Sequence, residues 1–129
     1  MPDINYLAVV TAAVSSFLLG GLWYSKLLFE KVWVREANVN PQDGHGPIVF
    51  GVSFLFSLAA AAAFAMWLGS EPPLNIAVHK GFYVGIGFVA TSFGINYQFA
   101  QNSFKMWLID AGYHTLQFAL FGLILGLWH

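Results

Sequence analysis

A carboxylate, a phenol, an imidazole and an amide lie close together in a segment that is otherwise apolar. The segment reads LIDAGYHTLQF at 108–118, and its polar side chains are those of Asp110, Tyr113, His114 and Gln117. Carboxyl and imidazole groups can both exchange protons near neutral pH once their surroundings shift them. The segment therefore fits three kinds of site, namely a proton or ion site, a hydrogen-bonded latch between helices, and a metal or haem site.

Composition indicates that this segment lies in a membrane. Only 9% of the 129 residues are charged and 58% are hydrophobic, whereas soluble domains carry about 25% charged residues. Four apolar stretches, at 4–24, 48–68, 76–97 and 104–128, match the roughly 20 residues that a helix needs to cross a bilayer. Spanning backbone must satisfy its own hydrogen bonds, and the stretches are too long for barrel strands. The predicted fold is an all-α bundle of four transmembrane helices in a single integral membrane domain.

Other function classes lose support from the same composition. The net charge of −1 provides no basic surface for nucleic acid, and the absence of cysteine excludes thiol chemistry and cysteine-held metals. Neither a HExxH motif nor a phosphate-binding loop is present, so no catalytic residue is predicted. An enzyme would have to use Asp110 and His114 as an acid–base pair with Tyr113 nearby, acting on a membrane-soluble substrate such as a quinone or a lipid.

Tryptophan positions support the predicted helix ends, because indole rings prefer the headgroup level of a membrane. The predicted interface anchors are Trp23, Trp33, Trp67, Trp107 and Trp128.

Basic residues predict the orientation and an additional helix. Lys26, Lys31 and Arg35 lie in the first loop and Lys105 at the third, whereas only Lys80 lies near the second. Cytoplasmic loops carry the excess of such residues, which places both termini outside a bacterial cytoplasmic membrane. The segment 26–38 alternates basic and apolar faces, and it is predicted to form an interfacial helix on the cytoplasmic side.

The last helix divides into three faces at about 100° per residue. One face is the polar stripe, and Tyr113 lies on the lipid side of it. A second face consists of small residues and includes Gly122 and Gly126, where another backbone can approach closely. The third is bulky and is predicted to contact lipid. Its residues are Ile109, Leu116, Leu120, Leu123 and Leu127.

The polar stripe needs partners, because ionisable groups inside a membrane normally face the bundle interior. Asp110 and His114 are one turn apart and are expected to interact. The third helix is an antiparallel neighbour whose predicted packing glycines are Gly81 and Gly85. The same helix supplies three candidate partners for Asp110, and these are Thr91, Ser92 and Asn96.

No cofactor is predicted from these residues. A haem or metal ion would need two of the histidines His79, His114 and His129 to face each other. His79 and His114 differ in predicted depth, and His129 is the last residue of the sequence.

Two functions compete at this point. In the first, the protein is a homo-oligomeric unit for proton-linked or small-solute permeation or exchange, in which Asp110 is the coupling acid. In the second, it is an accessory or assembly subunit of a larger membrane complex, and the polar stripe is a structural latch. The lipid bilayer is a partner in both.

Several segments resemble one known family. WYSKLLFEKVW at 23–33, GFVAT at 87–91, KMWLIDAGYH at 105–114 and GLILGLW at 122–128 are similar to the domain-of-unknown-function family 1761, small bacterial membrane proteins with four predicted helices. This sequence has Lys26 and Glu30 where the family usually has proline and glycine. The resemblance implies the membrane architecture and supplies no reaction.

Overall fold

The computed structural model describes residues 4–25, 27–37 and 47–128, and all the secondary structure in these ranges is helical. The predictions for Lys26, for residue 38 at the other end of the interfacial segment and for His129 concern residues outside these ranges. The helices are α1 (Tyr6–Trp23), α2 (Glu30–Ala37), α3 (Pro47–Leu68), α4 (Leu74–Val84), a π-helical segment (Gly85–Ala90), α5 (Thr91–Ala100) and α6 (Phe104–Leu127).

Four helices in the described ranges are long and apolar enough to cross a membrane, which confirms the predicted all-α membrane fold. They are α1, α3, the continuous helix Leu74–Ala100 that comprises α4, the π segment and α5, and α6. The third span is longer than the predicted 76–97. Local caps determine two starts, since Asn5 accepts a hydrogen bond from the Ala8 backbone at 3.1 Å and Ser103 from that of Met106 at 3.1 Å.

The tryptophans lie near the ends of the spans. Trp23 is the last residue of α1, Trp67 is next to the end of α3, Trp107 is in the first turn of α6 and Trp128 follows it. Trp33 lies in α2 instead.

Four glycines lie where α4 and the π segment pack against α6. A Cβ atom on Gly81 would lie 2.2 Å from the Phe118 carbonyl oxygen, and one on Gly122 would lie 2.2 Å from the Ala77 carbonyl oxygen. A Cβ on Gly85 would lie 2.5 Å from Thr115 Cα, and one on Gly126 3.0 Å from a Leu74 methyl carbon. The two helices therefore touch backbone to backbone, which only small residues allow.

The other side of α6 packs against α1 and α3 around the buried ring of Phe121. The hydroxyls of Ser16 and Ser57 form a buried hydrogen bond of 2.8 Å between α1 and α3. One member of the predicted lipid face is wrong: Ile109 is buried, and it lies where α6 meets the end of α1, since the Trp23 indole N–H donates to its carbonyl. Leu116, Leu123 and Leu127 are exposed, and Leu120 is half-buried.

The π segment changes which residues of α5 face α6. A π turn accommodates about one extra residue relative to an α turn. Each residue beyond Ala90 therefore points in the direction that the preceding residue would have in an uninterrupted α-helix. The face that starts at Gly81 and Gly85 therefore continues at Phe93 and Tyr97 rather than at Ser92 and Asn96. Phe93 and Tyr97 do contact α6, whereas Ser92 and Asn96 are exposed.

Deleting Gly87, which is exposed in the π segment, should therefore be tolerated. The deletion removes the extra residue and leaves Tyr97 facing α6. Deleting Ile95, which is exposed in the regular part of α5, should rotate Tyr97 away by about 100°. The measurement is the change in the free energy of unfolding in detergent that Tyr97→Phe causes in each deletion variant. This change should remain when Gly87 is deleted and should vanish when Ile95 is deleted. The same result for both deletions would contradict this account of the π segment.

Helix α2 lies at the same end of the bundle as the α5–α6 turn, and it packs against α6. Its Trp33 ring contacts Tyr24 with a centroid distance of 6.0 Å. Lys31 and Arg35 are exposed. The end of the bundle that carries α2 is called the α2 end below.

Candidate functional site

The Asp110 carboxylate is buried, with 6% of the residue exposed, and it joins three parts of the chain. One oxygen accepts a hydrogen bond of 2.5 Å from the Tyr24 hydroxyl, directly after α1. The other oxygen accepts a hydrogen bond from the Tyr97 hydroxyl of α5. Asp110 therefore fastens the end of α1 and the end of α5 to α6.

Two tryptophan indoles hold the same helices in position. The Trp23 Nε1–H group donates to the Ile109 carbonyl at 2.8 Å, one residue before Asp110. The Trp107 Nε1–H group donates to the Ala90 carbonyl at 2.9 Å, at the last residue of the π segment. Both predicted interface anchors therefore also form hydrogen bonds between helices.

Tyr113 faces α1, not lipid, which corrects its predicted orientation. Its hydroxyl donates to the Ser16 carbonyl at 2.9 Å. A Cβ atom on Gly20 would lie 3.3 Å from this hydroxyl, so the absence of a side chain there leaves room for the phenol. The predicted angle of Tyr113 around the α6 axis is compatible with its contact to α1, but α1 occupies the space in which the prediction places lipid.

His114 pairs with Gln117 and not with Asp110, contrary to the expected interaction one turn apart. His114 Nδ1 lies 2.7 Å from Gln117 Oε1, and Gln117 is buried with 6% exposed. The imidazole lies between two aromatic rings, with centroid distances of 4.9 Å to Phe93 and 4.8 Å to Tyr113. The polar stripe thus consists of two separate hydrogen-bonded sets, one at Asp110 and one at His114.

Side-chain contacts connect these two sets into a closed ring. Asp110 is hydrogen-bonded to Tyr24, whose ring centroid lies 5.6 Å from that of Tyr113, and the Tyr113 ring contacts His114. From His114 the contacts continue through Phe93, which stacks on Tyr97 at 5.9 Å, and return to Asp110. The members of this aromatic cluster are Tyr24, Phe93, Tyr97, Asp110, Tyr113 and His114.

The predicted partners of Asp110 on the third span are wrong, because the π segment changes which residues of α5 face α6. Thr91 is exposed, and its hydroxyl donates to carbonyls of its own helix at Gly87 and Phe88, at 2.8 and 3.1 Å. Ser92 and Asn96 are exposed on the face that points away from α6.

The structure also places the histidines that were considered for haem or metal. His79 lies in α4, and its Nδ1 atom is 2.7 Å from the Asn75 carbonyl oxygen. Within residues 4–25, 27–37 and 47–128, no three histidine, aspartate or glutamate side chains converge as a metal site would require.

Sequence reasoning missed Tyr24 and Tyr97, the residues that bind Asp110. Both are tyrosines near the end of a predicted span, where an aromatic residue is usually interpreted as an interface anchor. It also missed the environment of Trp33, whose Nε1–H group is the only buried side-chain polar group in the described part of the chain that lacks a hydrogen-bond partner.

The Tyr24 phenol should make stability depend on alkaline pH. Burial first, and then the hydrogen bond to Asp110, raise the pKa of Tyr24 above its ordinary value. In the unfolded chain a phenol loses its proton near pH 10, so the stabilisation is complete below that pH and is lost as the pH rises towards the folded pKa. Tyr24→Phe should reduce the fall in melting temperature above about pH 10. Tyr6→Phe, on an exposed tyrosine, is the control, and equal alkaline slopes for both variants would contradict the assignment.

Comparisons with known proteins add the family. No curated protein matches the chain, and no solved structure matches it. Residues 7–126 match the family described as protein of unknown function (DUF1761). With nearly the whole chain covered by that match, the protein belongs to the DUF1761 family.

Proposed function

We propose that this protein is an accessory or assembly subunit of a larger membrane complex, and that the Asp110 hydrogen bonds are an interhelix latch within it. The observation that carries the proposal is the double engagement of the carboxylate by Tyr24 and Tyr97. Each phenol comes from a different segment, so the bonds fix how α1, α5 and α6 sit relative to one another. A fixed arrangement of helices is what a helix-binding subunit has to present.

The outer surfaces of three spans support the same proposal. Between 22% and 28% of the most apolar window is buried in α1, in α3 and in the span Leu74–Ala100, compared with 50% in α6. Helix α6 therefore organises the protomer, while the other three spans present most of their surface to the membrane. These surfaces are available to helices of other membrane proteins.

The composition of α6 argues against a polar route through one protomer. Beyond Gln117 this helix continues as FALFGLILGL, without a polar side chain. The buried polar side chains of α6, those of Asp110 and Gln117, therefore extend no further than residue 117, and the last ten residues of the helix have none.

Gentle extraction of the tagged protein from its own membranes tests the proposal through its native mass and composition. Copurification with a larger assembly, at fixed stoichiometry, is the expected result. Cysteines introduced on exposed surfaces, such as Phe56→Cys on α3 and Ile86→Cys in the π segment, would then identify the contact face by cross-linking. Purification as a homo-oligomer alone would contradict the accessory role.

Proton-linked or small-solute permeation by a homo-oligomer is the second candidate. It is favoured by the surroundings of Asp110, whose hydrogen-bond partners in the described chain are neutral phenols and not basic side chains. Such a carboxyl group could exchange its proton without breaking an ion pair. Asp110→Asn should then abolish pH-dependent flux in liposomes, whereas Glu71→Gln on an exposed turn should leave it unchanged. Equal flux in the wild type and Asp110→Asn would exclude this candidate.

We also propose a bacterial cytoplasmic membrane location with both termini outside. Exposed Lys31, Arg35 and Lys105 lie at the α2 end, whereas Lys80 lies over the Trp67 ring towards the opposite end. The positive-inside rule then places the α2 end in the cytoplasm. Labelling of a single cysteine introduced at Ser70, in an exposed position near the end of α3, by an impermeant maleimide added to intact cells tests this orientation. Protection of that cysteine would reverse it.

A further inference from the structure

One nitrogen of His114 has no partner in the described chain. Nδ1 is engaged by Gln117 Oε1, and no described residue hydrogen-bonds to Nε2. Nε2 is also not sealed inside the protein, since Trp33 Nε1 is the only fully enclosed side-chain polar atom without a partner among the described residues. The imidazole therefore has a second nitrogen that is not fully enclosed and that no described residue engages.

The pairing with Gln117 determines what this nitrogen offers. An amide oxygen only accepts hydrogen bonds, so the imidazole donates through Nδ1–H and carries a lone pair on Nε2. A partner must therefore bring a hydrogen-bond donor to His114.

Depth limits where such a donor can come from. His114 lies seven residues beyond Trp107, which is about 10 Å further along the helix. Water is scarce at this depth in the hydrocarbon, and an unsatisfied polar group there costs free energy. The donor should therefore belong to a molecule that is itself soluble in the membrane.

The neighbouring side chains indicate the shape of that molecule. Phe93 and Tyr97 are stacked, with an interplanar angle of 4°, and Phe93 contacts His114 edge to face. Tyr113 contacts the imidazole on another side. Flat aromatic rings prefer offset-stacked and edge-to-face contacts with one another, so a planar ring with a hydroxyl substituent matches both the shape and the chemistry.

We propose that the His114 face binds a lipid-soluble hydroquinone or phenol, whose hydroxyl donates to His114 Nε2 while its ring packs against the aromatic cluster. This binding site goes beyond the accessory role and does not depend on it. It can be tested on the purified protein alone, so its failure and the failure of the proposed assembly role are distinguishable.

The test compares two radiolabelled probes on the protein in lipid nanodiscs, an alkyl hydroquinone and its dimethyl ether, which keeps the ring but lacks the hydroxyl donors. The wild type should retain the hydroquinone above the level of empty nanodiscs and bind the ether at least about tenfold more weakly, as expected for one lost hydrogen bond. This comparison requires no variant, so it does not depend on any variant folding. Equal retention of the two probes, or no retention above empty nanodiscs, would overturn the proposal.

Variants then locate the site. His114→Phe should reduce hydroquinone binding to the level of the ether, whereas His79→Phe, on a histidine of α4, should bind like the wild type. Gln117→Leu removes the acceptor that orients the imidazole and should weaken hydroquinone binding more than ether binding. Unchanged binding in a folded His114→Phe variant would overturn the assignment to this residue. An alkyl cyclohexanediol that binds as tightly as the hydroquinone would overturn the aromatic class of ligand.

Discussion

Gly122→Ala is expected to lower the free energy of unfolding by about 3 kcal/mol, at the upper end of the usual range for an overpacked site. The new methyl group would lie 2.2 Å from the Ala77 carbonyl oxygen. That oxygen belongs to helix backbone, so the contact can be relieved only by moving α4 away from α6. Unfolding by a denaturing detergent, followed by circular dichroism, measures the effect.

Gly51→Ala is the matched control, because no atom of the described residues, apart from its chain neighbours and its own helix backbone, lies within 4 Å of the position of its Cβ. This substitution should be neutral or slightly stabilising, since alanine has the higher helix propensity. Equal losses of stability in the two variants would show that backbone contact between α4 and α6 is not the cause.

Asp110→Leu is expected to lower the free energy of unfolding by about 2–4 kcal/mol, because the phenols of Tyr24 and Tyr97 both lose an acceptor that they reach in a buried site. Leucine has the same branching at Cγ but accepts no hydrogen bond, so the variant removes both bonds at once. Asp110→Asn keeps one oxygen acceptor and should cost less. The measurement is again detergent-induced unfolding.

Double-mutant cycles with Tyr24→Phe and Tyr97→Phe separate the two bonds. Each phenol alone should contribute about 1.5 kcal/mol, and neither substitution should add to the cost of Asp110→Leu. Fully additive costs would mean that the carboxylate does not hold the two helices together, and the latch would then have to be abandoned.

The membrane spans and the glycine positions could be predicted from the sequence because they depend on simple periodicity and length. Four long apolar stretches give four helices, and a four-residue spacing such as Gly81 to Gly85 remains on one face in any regular helix. The partners of Asp110 could not be predicted in the same way. The π segment changes which residues of α5 face α6, and the sequence GIGFVA contains no recognisable signal of a π turn.

The contacts of the first loop could not be predicted from hydrophobic periodicity, for a different reason. A helix in this region was predicted, and α2 lies within the predicted range. The approach of Trp33 to Tyr24, and of Tyr24 to Asp110, depends on a tight turn between α1 and α2. In that turn the Phe29 backbone N–H donates to the Trp23 carbonyl at 3.2 Å. The contact between Tyr24 and Asp110 joins residues 86 positions apart in the sequence, where local patterns carry no information.

The π segment also has a consequence for how chains of this family are aligned. The stretch Gly85–Ala90 contains one residue more than a regular α-helix would need between the glycine contact and Tyr97. A homologue with an uninterrupted helix would be one residue shorter there, yet it would place its side chains at the same points against α6. An ungapped alignment would then match the wrong residues on one side of this segment, and a single gap within 85–90 would restore the equivalence of Phe93 and Tyr97.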